Sequence, residues 1–138
     1  MHSYEFLDHT ADLYVRARAD SLGELLIACG EAMFSVLVEG GEVAETTSLE
    51  VELEADDAED LVHAWLRELL FRFDAEHLVL CRFNVHEATP TGLRATCLGE
   101  PFDPARHQGG TEIKAVTYHG FSVAHTPDGW VAEVLFDI

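Results

Sequence analysis

The stretch Val79-Leu80-Cys81-Arg82-Phe83-Asn84-Val85-His86 alternates two side-chain sets, and Pro90-Thr91-Gly92 follows it. Val79, Cys81, Phe83 and Val85 fall on one side, and Leu80, Arg82, Asn84 and His86 on the other. Period-two alternation is the signature of a strand with one buried face. The turn leads directly into a second extended run, 92–99, so the pair runs antiparallel. Residues 111–125 and 130–137 continue the pattern. Trp130, Ala132, Val134 and Phe136 are in phase there, and Pro127-Asp128-Gly129 supplies the turn before them.

Upstream of residue 77 the period changes. Leu22, Leu25, Leu26, Cys29, Met33, Val36 and Leu37 recur at spacings of three and four, which predicts one apolar stripe on a helix. Ser21 and Glu24 form a capping-box pattern at its start, and Gly40-Gly41 is the expected stop. A second stripe, from Leu61 through Trp65 and Leu69 to Phe73, follows Asp56, the expected cap. Its histidine, His63, is expected on the polar side, and His77 and His86 are expected at the surface. Two extended runs, 3–8 and 13–19, precede the first helix, and Leu49, Val51 and Leu53 alternate with glutamates between the helices. The expected fold is α+β. About seven strands form a mostly antiparallel sheet, and two long helices cover one face in a single domain over 1–138.

With 138 residues, 48% of them hydrophobic, the chain has material for a core and is not a disordered one. Its 26 acidic residues against 8 Lys and Arg give a net charge of -18. Such a surface repels phosphate backbones and anionic membranes, and favours basic proteins and cations as partners. No apolar run approaches the ~18 residues of a membrane span, and Met1-His2-Ser3-Tyr4-Glu5 does not open a secretory signal. Cys29, Cys81 and Cys97 are odd in number and widely spaced, which argues against disulfides and structural zinc. They are expected to be small buried residues in a reducing cytoplasm.

Three places carry chemistry. Asp8-His9-Thr10-Ala11-Asp12 crowds two carboxylates and an imidazole into one turn. Lys114, the one lysine of the chain, sits between Ile113 and Ala115 at an expected strand position, sharing a face with Glu112. Phe136-Asp137-Ile138 places a carboxylate beside the α-carboxylate of Ile138. Oxygen donors of that kind suit Ca²⁺ or Mg²⁺ rather than Zn²⁺.

These segments are the ones that make the chain recognisable. It resembles the archease family through Phe6-Leu7-Asp8-His9-Thr10-Ala11-Asp12, Ala32-Met33-Phe34 and Trp65-Leu66-Arg67-Glu68-Leu69-Leu70-Phe71. The resemblance continues through Gly99-Glu100-Pro101-Phe102-Asp103-Pro104, His107, Gly110 to His119 and the final Phe136-Asp137-Ile138. It implies a fold related to a duplicated strand-helix-strand-strand unit. It also implies an accessory role without catalysis of its own. Archeases assist the GTP-dependent RNA ligase of tRNA splicing, which joins 2′,3′-cyclic-phosphate or 3′-phosphate ends to 5′-hydroxyl ends. They promote its guanylylation and its multiple turnover. The ligase would be the partner, met in the cytoplasm, with RNA reached only through it and no membrane involved. The resemblance further implies a divalent-cation cofactor, Ca²⁺ with Mg²⁺ as the alternative. Asp12, Asp137 and the main-chain oxygen of Ile138 are the implied ligands, and Lys114, Asp8 and His9 the candidates for ligase activation. Two other readings of the residues stay open: a general chaperone or modulator of nucleic-acid enzymes, and a metal-dependent hydrolase with His9 as base.

Overall fold

Ser21 lies in extended backbone, and its hydroxyl accepts the Glu24 amide at 3.2 Å, opening helix α1 (Leu22–Leu37). The second helix, α2 (Ala58–Glu76), is opened by Asp57, which accepts the Asp60 amide at 2.8 Å. The cap is thus one residue later than the expected Asp56. Two adjacent aspartates compete for the role, and the one directly before the first helical residue takes it. Strands β1 (His2–Leu7) and β2 (Leu13–Ala19) precede α1, and β3 (Val38–Gly40) and β4 (Thr47–Glu54) separate the helices. After α2 come β5 (Leu78–Thr89), β6 (Gly92–Pro101), β7 (Gln108–Gly109), β8 (Ala115–Thr126) and β9 (Gly129–Asp137). The structure is a computed structural model and describes residues 1–7 and 12–138.

The α+β expectation holds. Seven strands are at least six residues long, as anticipated, and β3 and β7 add a short pair beside them. The strands form more than one sheet: four strands in the order β1-β2-β9-β8, three in the order β4-β6-β5, and the pair β3-β7. All pairings among the described residues are antiparallel.

The order reveals a repeat. β4, α2, β5 and β6 form a strand-helix-strand-strand unit whose last strand is central. β2, α1, β8 and β9 form another with the same order, β2-β9-β8, and the first unit is inserted between its helix and its second strand. The helices are exchanged: α1 lies closest along β5, and α2 along β8. Gly30 marks the first approach, since a Cβ there would stand 3.1 Å from the Phe83 ring. Trp65, wholly buried, joins the helices by donating its indole N–H to the Leu26 carbonyl at 2.8 Å. With sheets on both sides, α1 buries far more than one stripe; Ala28, Gly30, Ala32 and Phe34 are buried as well. The core runs continuously from Val15 and Val134 in the four-stranded sheet to Val51 and Cys97 in the other.

Two expectations from alternation fail at bulges and ends. Cys81 is exposed, unlike Cys29 and Cys97. Leu80 pairs with Gly99 and Arg82 with Leu98, so Cys81 is the extra residue of a bulge, and the buried face shifts to Leu80. Helix α1 stops at Leu37, before the glycine pair, because the chain turns directly into β3. Its last carbonyls, on Val36 and Leu37, accept the amides of Thr111 and Gly110 at 2.9 and 3.0 Å.

A buried carboxylate fastens the short pair. Glu100 accepts from the Arg106 guanidinium at 2.8 Å, the Ala44 amide at 2.6 Å and the His107 ring at 3.1 Å. Arg106 is the main reason its carboxyl is held down at about 2. Its contribution is therefore complete above the ordinary carboxylate value near 4.5 and is lost as pH falls towards 2. Glu100→Gln is expected to lower Tm at neutral pH and to flatten the acid limb of a Tm-against-pH curve.

His77 closes α2 in the left-handed region, at φ 55°, with its amide on the carbonyls of Arg72 and Phe73. A histidine there carries a steric cost that glycine avoids. His77→Gly is expected to stabilise the fold by about 0.5–1 kcal/mol, measured by urea unfolding; a loss of stability would mean that the imidazole contributes more than the backbone costs.

Candidate functional site

Strand β9 is central in its sheet, and its end gathers the separated motifs. Leu13 of β2 stands opposite Phe136, the last pair on that side, so Asp12 lies one step beyond, level with Asp137. On the other side Asp137 faces Ala115, and its carbonyl accepts the Lys114 amide at 2.7 Å. Asp12, Lys114 and Asp137 therefore converge on one end of one sheet, with Ile138 next in the chain. Asp137 and Lys114 are exposed, and Asp12 is half-buried.

Parity places Asp137 away from the helices, because Val134 and Phe136 alternate with it in β9 and are buried in the core, whereas Asp12 lies in the bend just before β2. The same outer face continues through Tyr14 and Leu135 to Arg16, whose guanidinium binds Glu133 at 2.9 Å and lies 3.6 Å from Glu5. Burial pushes the Tyr14 hydroxyl's pKa up, with Glu133 adding to it. Lys114 precedes β8 rather than lying in a strand, so the expected alternation does not reach back to it: Ile113 and Val116 are both buried. Among the described residues its ammonium makes no ion pair or side-chain hydrogen bond, whereas Arg16, Arg72, Arg82, Arg94 and Arg106 are all in ion pairs. Asp8 and His9 lie outside the described residues.

Among the described residues no three His, Cys, Asp or Glu side chains gather to hold a metal ion. Asp12 and Asp137 bring two carboxylates, and further oxygens at this end would come from the main chain. That donor set fits a hard cation such as Ca²⁺ or Mg²⁺ and does not fit Zn²⁺.

The sequence pattern missed His63. It is 1% exposed, not at the surface. Its Nε2–H donates to the Val116 carbonyl at 2.8 Å, its ring stacks on Tyr118 at 3.6 Å, and Phe121 meets it edge-on. Nδ1 is buried without a partner. The stacking partners belong to a wide bulge: Thr117 faces Leu135 and Ser122 faces Glu133, so residues 118–121 stand against Val134 alone. Gly120, at φ +71°, turns the chain there. His63 thus anchors β8 two residues from Lys114. The spacing His63, Leu66, Leu70 carried the signal, because it continues the buried stripe at i+3 and i+7.

Two interlocked strand-helix-strand-strand units with a carboxylate pair at the end of the central strand define a small α+β protein of recognisable class. The chain matches the Archease protein family (MTH1598/TM1083) over residues 4–138. Protein archease of Pyrococcus furiosus is 37% identical over 142 residues, covering 100% of both chains. That of Methanosarcina acetivorans is 39% identical, covering 98% of this chain and 95% of its own. The solution structure of Methanobacterium thermoautotrophicum protein 1598 superposes with a TM-score of 0.77 at 31% identity, covering 98% of each chain. A Thermotoga maritima crystal structure, described as an archease and possible chaperone, shares the fold at 22% identity and a TM-score of 0.65. This chain belongs to the archease family. No helix among its described residues is long and apolar enough to cross a membrane.

Burial lowers the pKa of His63, and nearby Arg67 adds to this. As pH falls below the ordinary histidine value near 6.5, the unfolded chain takes up a proton that the folded imidazole resists. Stability is therefore full above that value and declines below it. His63→Phe is expected to reduce the slope of stability against pH below about 6.5, as read by urea unfolding at a series of pH values. An unchanged slope would remove His63 from the acid response.

Proposed function

We propose that this protein is a non-catalytic activator of the GTP-dependent RNA ligase that joins 2′,3′-cyclic-phosphate or 3′-phosphate ends to 5′-hydroxyl ends in tRNA splicing. The observation that carries the reading is the convergence of Asp12, Lys114 and Asp137. Three segments that are distant in sequence, each part of the family resemblance, meet at the end of β9. The acidic surface supports a protein partner: a net charge of -18 opposes direct binding of RNA, so the ligase would carry the RNA. The Lys114 ammonium, without an ion pair among the described residues, supports contact with a phosphate or carboxylate of the ligase complex, fixing orientation more than affinity.

In this reading Asp12, Asp137 and the main-chain oxygen of Ile138 hold a divalent cation, Ca²⁺ or Mg²⁺. Bound there, the cation would supply positive charge at an end of the sheet that two carboxylates otherwise make negative. The protein's own part is to hold those oxygens in register through β2 and β9, and to hold Lys114 beside them through its amide.

The reading is tested by ligase guanylylation and turnover, with and without this protein. Lys114→Ala is expected to keep stability within about 1 kcal/mol of wild type while abolishing most stimulation. Normal stimulation by that variant would make Lys114 a structural residue. Asp12→Ala is expected to weaken Ca²⁺ or Mg²⁺ binding about tenfold or more by calorimetry, because carboxylate count sets affinity at oxygen sites. An unchanged affinity would remove Asp12 from the ligand set.

A further inference from the structure

We propose that the cleft between the C-terminal turns of α1 and α2 receives an arginine or lysine side chain carried by a partner protein. The cleft holds about 230 Å³. Leu37, Phe73 and Phe102 give it apolar walls, and Asp74 and Glu112, both exposed, supply charge. No lysine or arginine lines it.

Three features set its sign. Both helices end here, and neither carries a basic residue in its last turn. The negative ends of two helix dipoles thus face no lysine or arginine of the chain's own, and His77, the cap of α2, is the one imidazole in the cleft wall. Asp74 and Glu112 add full charges from two different elements, the last turn of α2 and the segment before β8. The third feature is a bare wall. Gly110 is kept free of a side chain by close approach, because a Cβ there would lie 2.1 Å from the Val36 carbonyl oxygen. Gly109 beside it also lines the cleft without a side chain, its Cβ position meeting only the Phe102 ring at 3.9 Å.

The walls and the charges select one chemistry. A bare metal ion has no use for phenylalanine walls, and an anion is repelled. An apolar side chain alone would leave Asp74 and Glu112 unused. Arginine and lysine carry an apolar stem and a cationic head, and arginine adds stacking on an aromatic face. The partner is a protein with a basic segment, the complement of a chain at net charge -18. Ile113 lines the cleft and Lys114 follows it, so a segment seated here continues towards the end of β9. The inference does not depend on the ligase reading, because any partner presenting such a residue would satisfy it.

The test is an NMR titration of the full chain with N-acetyl-arginine amide, whose blocked ends mimic a residue within a protein. Saturating shifts are expected at the amides of Gly109, Gly110, Thr111 and Glu112. N-acetyl-citrulline amide, matched in shape but neutral, should give none there. Asp74→Asn with Glu112→Gln should weaken binding at least about fivefold, while Glu50→Gln with Glu54→Gln, the same charge loss on β4, should leave it within about twofold. No saturating shift, equal shifts with the citrulline probe, or equal weakening by the β4 control would each overturn the cleft as a cation site. Tighter binding of free L-arginine than of the blocked form would overturn the assignment to a protein-borne side chain.

Discussion

Strand β9 has a hydrogen-bonded neighbour on each side, and everything at the candidate site depends on that pairing. β2 and β8 are not paired with each other; each is registered against β9. Leu13 opposite Phe136 and Ala115 opposite Asp137 fix how far each strand reaches, and so which residues emerge together at the sheet's end. A slip of one residue on either side would turn a whole strand over and bring core side chains to the outer face. The apolar set Val15, Ala17, Ala132, Val134 and Phe136 prevents this, because all five must be buried at once. The positions of Asp12 and Lys114 are thus specified by burial several residues away, not by attraction between charges.

The same logic holds β8 from the helix side. His63 of α2 is bonded to Val116, and the bulge after Thr117 wraps its aromatic residues around the imidazole. A helix of one repeat therefore anchors a strand of the other, close to the site. Glu100 acts in a comparable way near β7, where a guanidinium, an amide and a histidine all converge on one carboxylate. The segments of the family resemblance thus play different parts. Residues 114 and 137 meet at the candidate site, while residues 99–107 fasten the framework.

Much of this was legible in the residues. Both helices, the Ser21 cap and the long strands follow from period and punctuation, because each is decided by side chains within one or two turns of each other. The failures share a cause. Alternation extended through a bulge and past a strand end misplaces Cys81 and Lys114, because local pattern carries no mark of where pairing breaks. The polarity of His63 points to the surface, although its spacing agrees with the buried stripe. The division into separate sheets, and the exchange of helices between repeats, depend on contacts across the whole chain that no local period encodes. At the site, the residue types pointed to oxygen chemistry, but only the register of β9 brings Asp12 level with Asp137.

The insertion of one repeat inside the other has a consequence for synthesis. β2 is made early, yet its inner neighbour is residues 129–137, more than a hundred positions later. As the chain leaves the ribosome, β4, β5 and β6 can assemble with α1 along β5, while the β1–β2 hairpin still lacks β9 and α2 still lacks its strand β8. Isolated hairpins are marginal in water, and pairing across so long a loop is slow. The outer repeat therefore closes last, around an inner one already formed, and an incomplete chain exposes the apolar face of β2 until β9 arrives.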